Sequence, residues 1–341
     1  MKRLLIKHIY KIIVILVALL GYSAIAQADT STLFVFKQDL FRVYASGKLE
    51  KVFSAKEPHS ILKISPDQSH VVFEQENDLW LLNVQTKQTA RLTNIGEPYT
   101  SQYASVSARC QLWSQDSNKI LYEVLPGDTD DPEGERPKLK GIPAKYGYYV
   151  FDLEKRINRT IELPKGHILF WLADGNFLIY SHHNTLLYDV INNTEVPLIS
   201  PSNGRQTRLS NNGKIILTNA SDIKIKTSQI IKVDMPQGHI TPVTPIGKFT
   251  EYRWPTFSPS GKRIAYQHSV GTENRHPAIS LVVDGRDVYN YRDVYNNTGL
   301  SYGYEWIDDS TIVLIEIERS QSEAAIIDVD TKQVKGRHGL K

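Results

Sequence analysis

Short apolar runs alternate with tight polar turns along most of the chain, and similar turns return at intervals of 38 to 58 residues. Proline, aspartate, asparagine, serine and glycine dominate these turns because they fix a backbone torsion or hydrogen-bond their own main chain. Each turn follows a strand-like run and precedes an apolar one, so each predicts a β-hairpin. The six turns begin at Ser65, Ser114, Leu172, Ser210, Ser258 and Ile307.

A third strand-like run follows each hairpin, and a fourth, more polar run closes each unit. Examples of the third run are DLWLLNV at 78–84 and TLLYDV at 185–190. Four short strands per unit, repeated six times with no amphipathic helical stretch, predict an all-β fold, specifically a β-propeller of four-stranded blades. An all-β sandwich is the alternative, but its strands rarely recur with one turn chemistry at a fixed spacing.

The segment before the first turn predicts a further blade. Residues 32–54 read TLFVFKQDLFRVYASGKLEKVFS and match strands two to four of the next unit nearly in register. This favours seven blades, the first of which lacks its inner strand. A six-bladed ring, with residues 29–54 packed as an irregular extension, is the alternative.

Two of the repeat units resemble a known family. The stretches ISPDQSHVVFEQENDLWLLNVQTKQTARLT (64–93) and PTFSPSGKRIAY (255–266) are similar to the repeat of TolB-type propellers, which the propeller domains of prolyl oligopeptidase and dipeptidyl peptidase relatives share. Gln115, Ala173 and Asn211 depart from the proline that is usual in this repeat. TolB itself has an additional N-terminal α/β domain, for which residues 29–32 leave no room. The resemblance implies an architecture and no particular activity.

The first 28 residues predict a signal peptide. Lys2, Arg3, Lys7 and Lys11 lead into an apolar run over residues 12–26, and Ala26-Gln27-Ala28 forms a small-x-small cleavage site. Cleavage after Ala28 would leave 29–341 as a single propeller domain, periplasmic or secreted. An uncleaved membrane anchor is the alternative, but the run is shorter than the roughly 20 residues of a spanning helix.

The net charge limits the kinds of partner that can be expected, and the cysteine count limits the disulfides that can form. The chain has 40 basic and 37 acidic residues, and four of the basic ones precede residue 29, so the remainder carries 36 minus 37, or −1. A nearly neutral surface gives no electrostatic reason to expect nucleic acid or an anionic membrane as partner. The single cysteine, Cys110, excludes an intramolecular disulfide, and its strand-like surroundings predict a buried, inert thiol.

Insertions between the strands predict one functional surface. In a propeller, the connection from strand two to strand three and the connection between blades open on the same side, here called the loop face. The longest insertion, 125–147, is rich in proline and glycine, which excludes regular sheet. Its Asp128, Asp130, Asp131 and Glu133 could ligate calcium, but the spacing lacks the glycine and terminal glutamate of a calcium loop, which favours a solvated charge run.

Three other stretches, 93–107, 268–277 and 285–306, fall on the same face. Tyrosine offers a large contact area at low entropic cost, which suits recognition of a protein or glycan. The alternative is that these tyrosines pack between blades. The motif RDVYN occurs twice: the first copy, 286–290, predicts an outer strand, and the second, 292–296, predicts a loop. The candidate binding residues are Tyr99, Tyr103, Arg136, His268, Arg275, His276, Tyr289, Arg292 and Tyr295.

Enzymatic motifs are weak in this sequence. Residues 299–303 match the G-x-S-x-G nucleophile turn, but a strand is predicted after it where a helix is required, and only His338 follows as a base. Metal-assisted chemistry needs several ligands converging from different blades, whereas His182 and His183, expected on one strand, would point to opposite faces. No catalytic residue, metal site or cofactor is therefore predicted.

Together these observations favour an exported, non-catalytic binding module that recognises an envelope or extracellular protein or glycan. No membrane span is expected after signal cleavage. The alternative is a propeller hydrolase or lyase acting on a polysaccharide, with or without a metal. An enzyme of that kind predicts carboxylates and histidines clustered at the channel mouth, whereas a binder predicts an exposed tyrosine-rich patch.

Overall fold

The computed structural model shows an all-β protein. Its description covers residues 29–57, 61–95, 106–126, 147–182, 184–199, 203–222, 227–235, 237–246, 250–272, 275–290, 303–318 and 321–340. These residues form seven antiparallel sheets, each built from consecutive strands. Among them there is no helix long and apolar enough to cross a membrane.

Each sheet is one blade, and its strands run outward from the central channel in chain order. The first three blades comprise β1 (Ser31–Phe36), β2 (Asp39–Tyr44) and β3 (Leu49–Ser54); then β4 (Leu62–Ile64), β5 (His70–Gln75), β6 (Asp78–Asn83) and β7 (Thr89–Arg91); then β8 (Val106–Trp113), β9 (Lys119–Pro126), β10 (Gly147–Asp152) and β11 (Ile157–Ile161).

The remaining four blades are all four-stranded. They comprise β12 (His167–Trp171), β13 (Phe177–Ser181), β14 (Asn184–Asp189) and β15 (Thr194–Ile199); β16 (Asn203–Leu209), β17 (Ile215–Asp222), β18 (Thr227–Asp234) and β19 (His239–Pro242); β20 (Thr250–Phe257), β21 (Ile264–Thr272), β22 (Arg275–Val283) and β23 (Arg286–Asn290); and β24 (Gly303–Asp308), β25 (Thr311–Glu318), β26 (Gln321–Asp328) and β27 (Val334–Leu340).

The predicted seven-bladed β-propeller is confirmed, including its three-stranded first blade among the described residues. Successive side chains of a strand point to opposite faces of the sheet. In β1, Leu33 accordingly packs with Phe73 of blade 2, whereas Phe34 packs with Val313 of blade 7. Blade 1 therefore lies between blades 2 and 7 and completes the ring.

The hairpin turns form as their sequences predict. In the first turn, the Ser65 hydroxyl donates to Asp67 at 2.6 Å and accepts from the His70 amide at 3.0 Å. These turns, with the connections between third and fourth strands, form the side opposite the loop face, here called the turn face. The fourth turn residue has a positive φ at Gln68, Ser117, Gly175, Gly213 and Gly261.

The core lies between the blades, with each pair of neighbouring sheets sharing an apolar cluster. Between blades 2 and 3 it includes Val72, Ile120 and Cys110. Burial raises the pKa of the Cys110 thiol to about 12, more than the nearby Lys63 lowers it. The thiol therefore stays protonated near neutral pH, and the predicted buried, inert cysteine is confirmed.

Contacts between blades 7 and 1 close the ring, since blade 7 consists of C-terminal strands alone. A Cβ placed on Gly336 would lie 2.8 Å from the Gly47 carbonyl oxygen, so β27 approaches the β2–β3 turn at backbone distance. The same oxygen lies 2.6 Å from His338 Nε2. At the start of β1, the Thr30 hydroxyl donates to Asp308 at 2.8 Å.

Candidate functional site: the loop face and the central channel

The structure describes some of the predicted binding residues and leaves others outside its range. Arg275 and His276 lie at the start of β22, on the loop face. His268 and Tyr289 are the two candidates whose side-chain contacts are described. Tyr99, Tyr103, Arg136, Arg292 and Tyr295 lie outside the described residues, as do Asp128, Asp130, Asp131 and Glu133 of the calcium alternative.

His268 packs within its own blade. It lies on β21, where its ring stacks on that of Tyr252 of β20 with 5.0 Å between centroids and 12° between planes. The backbone of Tyr252 is fixed in turn by blade 5, because its amide donates to the Ser228 hydroxyl at 2.8 Å. The imidazole is therefore half-buried and held on the inner strands at the loop-face end.

Tyr289 belongs to a polar network between blades 6 and 7. Its hydroxyl donates to Glu316 at 2.9 Å and accepts from Arg337 at 2.7 Å. Arg337 also contacts Glu316 at 2.9 Å and Glu323 at 2.7 Å, and its guanidinium carbon lies 5.9 Å from the centroid of the Tyr289 ring. This tyrosine thus packs between blades and fixes the point from which segment 291–302 departs.

The charges of this network reinforce one another. Burial lowers the pKa of Arg337, but hydrogen bonds to Tyr289, Glu316 and Glu323 outweigh it and raise the pKa well above its usual value. Burial also raises the pKa of Tyr289, although the bond from Arg337 opposes the shift. Glu316 is only 8% exposed, so its carboxylate needs the hydrogen bonds from Arg337 and Tyr289 to offset the free-energy cost of burying its charge.

Arg109 on the inner strand of blade 3 lies between two carboxyl groups. Burial raises the pKa of Glu74, on β5, and of Glu123, on β9, and the attraction of Arg109 partly offsets both shifts. The backbone of Cys110 also hydrogen-bonds Glu74, and the Gln111 amide donates to Glu123 at 3.2 Å. This cluster lies where the inner and second strands of blades 2 and 3 meet.

Trp254 interrupts the inner strand of blade 6. The β20–β21 register shifts between Arg253 and Thr256, which marks a β-bulge, and Trp254 within it has a φ of +53°. Its amide donates to Gln206 Oε1 of blade 5 at 3.2 Å, and its carbonyl accepts the hydroxyl of Tyr304 of blade 7. Both neighbouring blades therefore hold the backbone of Trp254 in place.

Two arginines and two glutamates lie on inner strands within three positions of Trp254 or of its partners Gln206 and Tyr304. Arg253 pairs with Glu251 at 2.6 Å within blade 6. Arg208, on the inner strand of blade 5, attracts the carboxylate of Glu305, on the inner strand of blade 7, and this attraction lowers the pKa of Glu305. Glu305 is exposed, but the protein around its carboxyl reduces hydration of the charged form, which raises its pKa more than the attraction of Arg208 lowers it.

Two sequence arguments about enzymatic motifs have clear outcomes. The residues after the G-x-S-x-G match form β24 and the hairpin that follows it, so the predicted strand is confirmed where a nucleophile turn requires a helix. The placement of His182 on a strand is wrong, because His182 lies in the β13–β14 turn with a φ of +48°. Within the described ranges, no group of three or more His, Cys, Asp or Glu residues could hold a metal ion.

A cavity of ≈ 470 Å³ lies away from these groups, between blades 3 and 4 on the turn face. Its walls include Val150, Ile161 and Trp171, and Arg159 stands at its edge. These residues line the cavity from both neighbouring sheets.

Comparisons with known proteins agree with the architecture. Residues 29–124 match the family described as the dipeptidyl peptidase IV (DPP IV) N-terminal region. A search of the curated proteins found no match. Among solved structures, dipeptidyl peptidase 4 of Porphyromonas gingivalis is similar at 9% identity and a TM-score of 0.50, with 91% of this chain and 50% of that chain covered. The chain therefore spans half the length of that enzyme, and the likeness concerns the fold alone.

Two TolB structures are also similar. The putative TolB of Agrobacterium tumefaciens has 15% identity and a TM-score of 0.45, with 77% of this chain and 90% of that chain covered. TolB of Acinetobacter baumannii has 12% identity and a TM-score of 0.43, with 91% and 78% covered. The ring of seven sheets makes this chain a seven-bladed β-propeller, and the family match covers its first blades, residues 29–124.

Proposed function

We propose that this protein is an exported binding module that recognises an envelope or extracellular protein or glycan through its loop face. The observation that carries the proposal is the anchoring of Tyr289 by Glu316 and Arg337. A loop that starts from a fixed point loses less conformational entropy when it binds, so more of its contact energy appears as affinity. Segment 291–302, with Arg292 and Tyr295, begins immediately after this anchor.

The scaffold supports the same proposal. Binding surfaces are often built from loops that a rigid sheet scaffold holds in place. The sequence of such loops can change without disturbing the packing of the core. The candidate residues come from connections of several blades: Tyr99 and Tyr103 follow blade 2, Arg136 belongs to blade 3, and Arg275 and Tyr295 to blade 6. Residues spread over several blades would recognise an extended surface of a partner and not a single peptide segment.

The alternative, a propeller hydrolase or lyase acting on a polysaccharide, is favoured by one specific observation. Glu74 and Glu123 have carboxyl groups whose pKa is raised by burial, and they flank Arg109. A carboxyl that holds its proton to higher pH can act as a general acid. If this alternative is correct, Glu123→Gln should abolish release of reducing ends from purified envelope polysaccharide, and Glu154→Gln, at an exposed site, should not.

Site-specific photo-crosslinking in the native envelope tests the binding proposal. A photoreactive residue at position 295 tests the loop face on which the sequence predicts it, and one at Lys87, in the β6–β7 turn, samples the turn face as a matched control. We expect a discrete crosslinked partner from position 295 and none from position 87. A double variant Tyr291→Ala/Tyr295→Ala should lose the partner, whereas Tyr44→Ala, on the turn face, should keep it. Equal capture by all variants, or capture only from position 87, would refute the loop-face assignment.

A further inference from the structure

We infer that the central channel contains a second binding site, centred on Trp254, which stacks one ring of a neutral oligosaccharide. This site is separate from the loop-face candidates, so either can fail without the other. It depends on the exposure of the indole, on the way its backbone is held, and on the polar groups around it.

The exposure of Trp254 distinguishes it from the other tryptophans. Trp113, Trp171 and Trp306 are 8%, 9% and 6% exposed and Trp80 is half-buried, whereas Trp254 is 36% exposed. Because β20 is the innermost strand of blade 6 and Trp254 lies four residues before the turn at Ser258, the solvent that its ring meets is that of the channel. An indole left in water on an inner strand forgoes the burial that the other tryptophans gain.

The backbone of Trp254 is held in an unfavourable conformation. A bulky residue at a φ of +53° is a genuine outlier, because its Cβ crowds the following carbonyl group. Hydrogen bonds from the flanking blades, through Gln206 and Tyr304, keep it there. The bulge turns the side chain out of the regular alternation of the strand. Backbone strain that neighbours impose in this way is concentrated at ligand sites.

The polar groups around the indole select the class of ligand. Arg253 and Arg208 supply donors, and Glu251 and Glu305 supply acceptor oxygens. Arg253 and Glu251 form an ion pair, and the formal charges of the four side chains sum to zero. A pyranose ring has an apolar C–H face that stacks on an aromatic ring and hydroxyl groups that need both donors and acceptors. A polyanion would gain little from a balanced site. A proline-rich peptide prefers a groove lined by several aromatic rings, whereas this site has one exposed tryptophan.

The test uses the chain from residue 29 and measures two signals, tryptophan fluorescence with acrylamide quenching and isothermal titration calorimetry. The probes are cellotetraose, chitotetraose, tetragalacturonate and a proline-rich decapeptide. We expect at least one of the two neutral tetrasaccharides to bind saturably and to protect Trp254 from acrylamide. Trp254→Asn should reduce that affinity at least tenfold. Trp80→Phe, a change at a half-buried tryptophan of blade 2, should leave the affinity unchanged.

The choice of asparagine keeps the test interpretable. Asparagine tolerates a left-handed backbone better than tryptophan, so Trp254→Asn should fold and melt no earlier than the wild type. Loss of binding in a fully stable variant then reports on the ring itself. If neither neutral tetrasaccharide binds, if only tetragalacturonate or the peptide binds, or if Trp254→Asn binds as tightly as the wild type, the inference is wrong. None of these outcomes alters the crosslinking result expected at position 295.

Discussion

Arg337 of β27 donates a 2.7 Å hydrogen bond to the hydroxyl of Tyr289 of β23, and this bond links the outermost strands of the last two blades. The same hydroxyl donates to Glu316, so one oxygen bridges a cation and a carboxylate. Removing it would leave both charged partners with an unsatisfied bond in a half-buried site.

Tyr289→Phe should therefore lower the free energy of unfolding by about 1–3 kcal/mol, because hydrogen bonds to charged groups are worth more than neutral ones. Urea denaturation followed by intrinsic fluorescence measures the change. Tyr44→Phe is the matched control, since its hydroxyl makes only a long 3.3 Å contact with Glu50. Equal stability of the two variants would show that the Tyr289 network does not stabilise the ring.

Gly336→Ala should destabilise the contact between blades 7 and 1. The added methyl group would lie 2.8 Å from the Gly47 carbonyl oxygen, which is backbone and cannot rotate away. Overpacking of this kind costs about 1–3 kcal/mol. Gly339→Ala is the control on the same strand, because nothing lies within 4 Å of its added Cβ. Urea midpoints that fall equally in both variants would contradict a close approach at Gly336.

Asp67→Asn should change the dependence of stability on acid. Burial raises the pKa of Asp67, but hydrogen bonds from Ser65, Ser69 and Ser117 outweigh it and lower the pKa to about 2. Since the folded-state pKa is depressed, the ionised carboxylate stabilises the fold above its unfolded pKa of about 3.9, and this contribution is lost as pH falls toward 2.

The variant should therefore be less stable than the wild type at pH 7, by about 0.5–1.5 kcal/mol for the weakened hydrogen bonds, and the difference should shrink between pH 4 and pH 2. Urea unfolding across that range measures it. Asp174→Asn is the matched control, because the equivalent turn of blade 4 begins with Leu172 and lacks the serine hydroxyl. A constant difference at every pH would rule out the carboxylate as its source.

Glu74→Gln should stabilise the protein at neutral and higher pH. Burial raises the pKa of Glu74 more than Arg109 lowers it, so the ionised form costs free energy in the folded state. With a raised folded-state pKa, the wild type loses stability as pH rises from its unfolded pKa through the folded one. Glutamine keeps an oxygen that can accept the backbone bond from Cys110 without carrying charge.

The variant and the wild type should thus be equally stable near pH 4 and diverge above it, with the variant more stable. Thermal unfolding from pH 4 to pH 8 measures this divergence. Glu154→Gln, at an exposed position of blade 3, is the control and should not diverge. If Glu74→Gln were less stable at pH 7, the attraction between Glu74 and Arg109 would exceed the burial cost.

Local chemistry explains why the blades could be predicted. The Ser65 turn is specified by bonds between residues at most five positions apart, so its sequence alone fixes its shape. At the turn of Asp284 and Gly285, both residues have a positive φ, which aspartate and glycine tolerate, and β23 follows as predicted for the first RDVYN copy.

Contacts between distant residues explain what the sequence could not predict. Gly47 and Gly336 meet although 289 positions separate them, and neither flanking sequence marks the contact. The hydrogen bond between Tyr289 and Arg337 could not be predicted, because the two residues lie 48 positions apart. The β-bulge at Trp254 depends on side chains of two other blades, Gln206 and Tyr304, and an aromatic residue in a strand gives no signal of it.

The two ends of the described chain lie on opposite faces of the ring. Thr30 is fixed beside Asp308 on the turn face, whereas β27 ends at Leu340 beside Ser322, close to the loop face. Coupling to a sensor surface through the N-terminal end would therefore display the loop face to solution, and coupling through the C-terminal end would turn it toward the support. A partner that binds only in the first orientation would identify its face before any residue is changed.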